Sequence, residues 1–179
     1  MITKYRPIIM SSVLALAALF FGGADARAIE TKAREALLID FDTGTVLFEK
    51  NPDARMPPAS MSKIMTAYLA FERIQQGRLS LDDEIPISEK AWRMGGSKMF
   101  IRVGTEVSVI DLLRGVIIQS GNDASIALAE HVAGSEDAFA DLMNAQAQRL
   151  GMTNTHFVNA TGWPAEDHYA SARDLAILA

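Results

Sequence analysis

The chain has 179 residues, of which 49% are hydrophobic and 22% charged, and its 17 Lys and Arg against 22 Asp and Glu give a net charge of −5. This composition is typical of a globular protein and too apolar for a disordered one. The acidic balance argues against nucleic acid as a partner, because phosphate binding needs a basic surface. The absence of cysteine excludes thiol catalysis, cysteine-ligated zinc and disulfides.

The first residues have the layout of a secretory signal peptide. Lys4 and Arg6 form a basic start, residues 8–21 are an almost unbroken apolar run, and residues 26–28 are a small-x-small cleavage site. The alternative is a transmembrane anchor, but a spanning helix needs about 20 apolar residues. We therefore expect residues 1–28 to be removed and residues 29–179 to be exported. An exported chain without cysteine fits a bacterial periplasm or cell wall.

Two short strands and an apolar helix are predicted at the start of the mature chain. Residues 36–41 are apolar enough for a buried strand, residues 42–44 form an Asp-Thr-Gly turn, and residues 45–48 form a second strand, which together predict a hairpin. A helix is predicted over residues 60–76 and ends before Gly77. Its apolar residues cover more than one face, which predicts a central helix packed on several sides.

The rest of the chain has loops and short strands followed by helices with serine caps and glycine ends. Ser108 and Ser135 stand where a helix needs an N-cap, and Gly134 and Gly151 stand where helices end. The predicted elements are a mixed segment over residues 79–107, helices over residues 108–119, 123–133 and 136–150, a short strand over residues 155–158, and a final helix that begins at Ser171.

The sequence stops at Ala179, inside the last predicted helix. The apolar residues of that helix need a surface to pack against, and a two-stranded hairpin is marginal by itself. We therefore expect the sequence to be the N-terminal part of a longer domain.

Ser60 and Lys63 are candidates for a nucleophile and its general base. Residues three apart share one face of a helix, with roughly 5–6 Å between their Cβ atoms. A serine hydroxyl becomes a useful nucleophile when a base takes its proton, and burial can lower the pKa of a lysine enough for that role. The start of a helix also offers N–H groups to a developing oxyanion. The alternative is an N-cap serine beside a solvated lysine.

Ser120 and Asn122 lie in a short Ser-Gly-Asn break between two apolar helices. Side chains on such a turn can point into one cleft, where the serine could relay a proton. The amide could orient a substrate carbonyl and hydrogen-bond the lysine. The alternative is an ordinary turn in which Ser120 or Asn122 caps the next helix.

Taken together, the two motifs resemble those of a known enzyme family. Residues 57–66 (Pro-Pro-Ala-Ser-Met-Ser-Lys-Ile-Met-Thr) resemble the active-site tetrad of penicillin-binding proteins, above all the low-molecular-mass D-alanyl-D-alanine carboxypeptidases of serine peptidase family S11. Residues 118–124 are similar to the second motif of that family. Other matching segments are residues 96–100, 114–115, 133–135, 139–144, 150–157 and 171–174.

This resemblance implies an α+β fold of the penicillin-binding-protein and β-lactamase type, with a helical region beside a five-stranded antiparallel sheet. It implies that Ser60 attacks the penultimate D-Ala carbonyl of a peptidoglycan stem peptide and that Lys63 is the general base. Ser120 then relays a proton and Asn122 orients the substrate. The terminal D-Ala leaves, and water releases the acyl-enzyme. Penicillins and other β-lactams are the expected covalent inhibitors, and no cofactor is expected. A metal site is not expected either, because His131, His156 and His168 do not have the spacing of metal ligands.

The third motif of the family, Lys-Thr-Gly, does not occur in the sequence. In the family it binds the terminal carboxylate of the substrate, and its strand supplies an oxyanion donor. We therefore expect a truncated chain of doubtful activity, with membrane association only through the missing C-terminal segment. One alternative is a class A-like β-lactamase, against which the Ser-Gly-Asn motif and the lack of a Glu-x-x-Leu-Asn loop argue. The other is an inactive, truncated remnant.

Overall fold

Helices and two small antiparallel sheets make up the regular structure of residues 30–179, which are the residues described in this computed structural model. The predicted signal peptide lies outside the described residues. Residues 33–179 form one compact unit. The strands are β1 (Ala36–Ile39), β2 (Val46–Lys50), β3 (Glu84–Pro86) and β4 (Glu106–Ser108), and the helices are α1 (Ser62–Gln75), α2 (Glu89–Arg93), α3 (Val109–Gln119), α4 (Asn122–Ala133), α5 (Glu136–Leu150) and α6 (Ala172–Leu178), with a 3₁₀ turn at Ala59–Met61. The predicted α+β class is confirmed.

The strands β1 and β2 form the predicted hairpin, with Ala36 opposite Lys50 and Ile39 opposite Val46. The prediction that the first strand is buried is wrong, because Leu38 in β1 is 45% exposed. Among the described residues this sheet has only two strands, and α6 packs against β1. So few neighbours leave part of the hairpin open to solvent.

Serine caps and glycine ends set the helix boundaries as the sequence predicts. The hydroxyls of Ser108 and Ser135 each accept a backbone N–H from the residue three positions on, at the starts of α3 and α5. Gly134 and Gly151 end α4 and α5 in the left-handed region, with φ of 83° and 80°. Glycine adopts this conformation without the steric cost of a Cβ atom.

Two regions differ from the predicted elements. The segment between α1 and α3 holds the short strands β3 and β4, as predicted, and also the five-residue helix α2, which is not among the predicted elements. The predicted strand over residues 155–158 is wrong, since His156 pairs with Tyr169 in an isolated bridge. Both backbone groups of the next residue, Phe157, bond instead to the side chain of Asn144.

The helix α4 lies at the centre of the unit, and its eight residues from Asn122 to Ala129 are buried. One apolar cluster joins α4 to α2, α3 and β3, and a second joins it to α1, α5 and the segment before α6. As predicted, α1 packs against several elements, namely α3, α4 and α5. One strip of α1 nevertheless stays open, with Ile64 39% and Phe71 49% exposed.

Candidate active site

Ser60 lies in the 3₁₀ turn that leads into α1, so α1 begins at Ser62 rather than at Ser60 as predicted. The turn starts at Ala59, whose φ of 48° is left-handed. Ser60 is exposed, and the N-cap position of α1 belongs to Met61, with no side-chain capping bond. The alternative interpretation of Ser60 as a capping serine is therefore wrong, and its hydroxyl is free of that structural role.

Lys63 is only 4% exposed, so the alternative of a solvated lysine is also wrong. Its Nζ atom lies 3.3 Å from Ser60 Oγ and donates a hydrogen bond of 2.6 Å to the carbonyl oxygen of Thr161. Burial lowers the pKa of Lys63 from 10.5 to about 8, because desolvation disfavours the ammonium form. At pH 7 about a tenth of the side chains are then neutral, roughly 300-fold more than for an ordinary lysine.

Ser120 lies between α3 and α4 in a left-handed conformation, with φ of 54°. This position places it in the wall of a cavity of about 440 Å³ that Ser60 and Lys63 also line. The other lining residues are mainly apolar side chains of α1 and α3. The structure therefore brings two hydroxyl groups and one buried amine to the same cavity, although Ser60 and Ser120 lie far apart in sequence.

Asn122 is the first residue of α4 and is 6% exposed. Its Nδ2 atom donates to the Gly95 carbonyl oxygen and its backbone N–H to the Ser97 carbonyl oxygen, both at 2.8 Å. Gly96 has a φ of 76°, and a Cβ atom there would lie 2.7 Å from Nδ2, so its conformation and this close approach both favour glycine. The N-cap position of α4 makes no side-chain capping bond, which contradicts the alternative that Ser120 or Asn122 caps this helix.

Asn122 lines a second cavity, of about 350 Å³. Ser60 is the one residue that the linings of the two cavities share. A carbonyl group held at Ser60 would therefore have space on two sides, with Lys63 and Ser120 in one wall and Asn122 in the other. This arrangement suits nucleophilic attack on an extended substrate that passes the serine.

The carboxylate of Asp123 fixes the loop beside Asn122. It is fully buried and accepts the backbone N–H groups of Met99, Phe100 and Ile101 at 3.0, 2.9 and 3.3 Å. The sequence interpretation assigned no role to Asp123, although an acidic residue directly after Ser-Gly-Asn at a helix start is a visible signal. Its bonds hold the glycine-containing loop against the start of α4.

A buried histidine, His168, hydrogen-bonds Ser62, which lies between Ser60 and Lys63. His168 Nδ1 accepts the backbone N–H of Val158 at 3.2 Å, so the proton resides on Nε2, which donates to Ser62 Oγ at 2.8 Å. Burial lowers the pKa of His168, which favours this neutral form. The sequence predicts no site role for His168, because its 106-residue separation from Ser62 gives no local signal.

The described residues show neither a metal site nor a membrane span. No group of three or more metal-binding side chains lies together within residues 30–179. In the same range, every helix is too short or too polar to cross a membrane.

Comparison with known proteins identifies the family. A family model described as D-alanyl-D-alanine carboxypeptidase matches residues 23–179. D-alanyl-D-alanine carboxypeptidase DacF of Bacillus subtilis is 48% identical over 148 residues, which cover 83% of this chain and 38% of the relative. DacC of Escherichia coli, which has the same enzyme name, is 40% identical over 189 residues, covering 98% of this chain and 47% of the relative.

Solved structures show the same fold. The crystal structure of D-alanyl-D-alanine carboxypeptidase DacD from Francisella tularensis matches with a TM-score of 0.82 and 45% identity, over 89% of this chain and 41% of that one. Penicillin binding protein 5 from Haemophilus influenzae matches with a TM-score of 0.83 and 41% identity, over 86% of this chain and 45% of that one. The predicted penicillin-binding-protein fold is confirmed, over a chain that spans less than half the length of these relatives. The chain belongs to the D-alanyl-D-alanine carboxypeptidase family of serine peptidases.

Proposed function

We propose that the protein is a serine-type D-Ala-D-Ala carboxypeptidase that removes the terminal D-alanine from peptidoglycan stem peptides, and that penicillins acylate it. The observation that carries this proposal is the buried Lys63 amine, 3.3 Å from the Ser60 hydroxyl, in a chain of this family. The match to this family also favours a carboxypeptidase over the class A-like β-lactamase considered from the sequence.

In the proposed reaction, neutral Lys63 takes the proton of Ser60 while Oγ attacks the carbonyl carbon of the penultimate D-Ala. The backbone N–H groups at the start of the 3₁₀ turn have no partner within the turn, so they are suited to donate to the oxyanion. Collapse of the tetrahedral intermediate breaks the peptide bond and forms an ester on Ser60. The ammonium of Lys63 holds the proton that the leaving D-alanine amine needs, and water then hydrolyses the ester.

Ser120 and Asn122 have complementary roles in this proposal. Ser120 shares the cavity of Ser60 and Lys63, so its hydroxyl can pass the proton from Lys63 to the leaving amine. Asn122 uses Nδ2 to bond the Gly95 carbonyl oxygen, which fixes the orientation of its amide in the second cavity. A fixed amide can bond the substrate backbone on the acyl side of the scissile bond.

The proposal includes export to a periplasm or cell wall. Its support is the sequence pattern of residues 1–28, which lie outside the described residues. A stem-peptide substrate is itself found outside the cytoplasmic membrane, so the proposed activity and the proposed location agree.

Release of D-alanine from diacetyl-Lys-D-Ala-D-Ala tests the proposal. Because the chain covers 38% of the Bacillus subtilis relative, we would assay the chain alone and the chain joined to the C-terminal remainder of that relative. D-Alanine release from either form that is abolished by Ser60→Ala supports the proposal. Release that survives Ser60→Ala, or no release from either form, contradicts it. Rapid turnover of penicillin without peptide cleavage would instead indicate a β-lactamase.

A further inference from the structure

The side chain of Asn159 organises a tight turn over residues 159–163, called here the Asn159 turn. Its Oδ1 atom accepts the backbone N–H groups of Thr161, Gly162 and Trp163 at 3.1, 2.8 and 3.1 Å, and also the Thr161 hydroxyl at 3.0 Å. Its Nδ2 atom donates to the Trp163 carbonyl oxygen at 2.9 Å. One half-buried side chain thus bonds the backbone from Thr161 to Trp163, whereas the Ala160 N–H donates to Glu136 Oε1 at 3.1 Å.

The Asn159 turn lies directly on the start of α1. The Thr161 carbonyl oxygen accepts a hydrogen bond of 2.6 Å from Lys63 Nζ, and the Ala160 carbonyl oxygen accepts one of 2.7 Å from Thr66 Oγ1. Gly162 approaches the residue before the nucleophile so closely that a Cβ there would lie 1.7 Å from the Ala59 carbonyl oxygen. The turn therefore contacts Lys63 directly and also contacts Ala59, the residue before Ser60.

These contacts have a chemical consequence for the amine. A neutral lysine has two N–H bonds and one lone pair, and the Thr161 carbonyl occupies one N–H. Because that hydrogen bond fixes the orientation of the amine, another of its positions faces Ser60 Oγ, which lies 3.3 Å from Nζ. The same turn covers Lys63, which is 4% exposed. Loss of the turn would free the amine to rotate and would admit water.

We propose that Asn159 is a positioning residue of the active site, which acts by holding the Thr161 carbonyl on the Lys63 amine. The inference rests on the proposed function, in which Lys63 is the general base for Ser60. Asn159 touches neither reacting group itself, and it acts through the backbone of the Asn159 turn.

The experiment compares Asn159→Ala with a matched control, Asn144→Ala, in the full chain. Asn144 also bonds a backbone N–H and a backbone carbonyl, those of Phe157, at 2.8 and 2.7 Å, but none of its hydrogen bonds reaches the Asn159 turn. Two quantities are measured for each variant. One is the pKa of Lys63, from the pH titration of ¹³C-labelled lysine side chains, and the other is the rate of acylation by a fluorescent penicillin.

Asn159→Ala is expected to raise the pKa of Lys63 from about 8 toward 10.5, because loss of the turn lets water reach the amine. This solvation outweighs the lost bond to the Thr161 carbonyl, which by itself would lower the pKa. It should slow acylation at pH 7.5 by about 100-fold, the typical effect of a misplaced catalytic group. Asn144→Ala should lower the thermal midpoint but leave the Lys63 pKa unchanged. Asn159→Ser, whose shorter hydroxyl reaches fewer N–H groups, should give an intermediate pKa and remains informative if the alanine variant does not fold.

An unchanged Lys63 pKa in the folded Asn159→Ala or Asn159→Ser variant overturns the inference. An equal pKa change in Asn144→Ala also overturns it, because the effect would then be general destabilisation. Failure of the proposed function would be a separate result, in which penicillin does not label Ser60 of the wild-type chain. The Lys63 titration still decides the positioning role in that case, since it needs no acylation.

Discussion

Replacing Lys63 by methionine should change how stability depends on pH. In the folded protein the pKa of Lys63 is about 8, whereas in the unfolded chain it returns to 10.5. Between these two values the unfolded chain binds more protons than the folded one, so the free energy of unfolding of the wild type rises with pH. Below pH 8 both states are protonated at this site, and above 10.5 neither is, so the rise is confined to this window.

The size of the effect follows from the difference between the two pKa values. Each unit corresponds to about 1.4 kcal/mol, so the rise between pH 8 and 10.5 is about 3 kcal/mol in total. Lys63 is almost fully buried, so solvent screening takes little from this figure. Lys63→Met has no group that titrates at this site and should lack the rise, apart from a constant difference that reflects the lost bond to Thr161.

Urea unfolding at fixed ionic strength from pH 7 to 10.5 measures this difference. Lys90→Met is the matched control, because Lys90 pairs with Glu136 at 2.8 Å and this bond raises its pKa. The contribution of Lys90 to stability is lost only as the pH rises through that raised pKa. The difference in free energy of unfolding between the wild type and Lys90→Met should therefore not rise between pH 8 and 10. Parallel curves for the wild type and Lys63→Met would refute the account of Lys63 as a buried base of lowered pKa.

Three further predictions concern the fold and the export of the chain. Gly162→Ala should destabilise the protein by about 3 kcal/mol or more, because its Cβ atom would overlap the Ala59 carbonyl oxygen. Gly134→Ala, which has open space around it and the same sign of φ, should cost about 1 kcal/mol. Equal thermal midpoints of the two variants would contradict the close approach at Gly162. Asp123→Ala should cost about 3 kcal/mol in urea unfolding, because four backbone N–H groups lose their acceptor, and a loss under 1 kcal/mol would show that water replaces it. N-terminal sequencing of exported protein should begin at Ile29, and a start at the original methionine would indicate an anchor instead.

Helix boundaries in this chain are predictable where a serine cap or a terminal glycine determines them, and not at the start of α1, which has no side-chain cap. Ser108 and Ser135 supply the acceptor that a helix start needs, and the structure uses both as caps. The helix α2 has five residues, too few to show a periodic pattern, although Ser88 caps it in the same way. The segment around Phe157 has the composition of a strand, yet a side chain from α5 occupies its backbone groups.

The site was predictable where short sequence motifs carry its residues, as in the segments that hold Ser60 and Lys63 and Ser120 and Asn122. The spacing of Ser60 and Lys63 places an amine beside a hydroxyl, and the structure has them in contact. Burial lowers the Lys63 pKa, and the Thr161 carbonyl that accepts a hydrogen bond from the buried amine is 98 residues away and gives no signal in the sequence. The support of Ser62 by His168 spans a similar separation and was equally invisible. Long-range hydrogen bonds such as these depend on tertiary packing.

The most direct test of the central claim is to map the covalent penicillin adduct by mass spectrometry. We expect one adduct, on Ser60, in the tryptic peptide that ends at Lys63. Ser62→Ala, the neighbouring serine of the same peptide, should keep the adduct, and Ser60→Ala should lose it. An adduct on Ser62 or Ser120, or labelling that persists in Ser60→Ala, would contradict the assignment of Ser60 as the nucleophile.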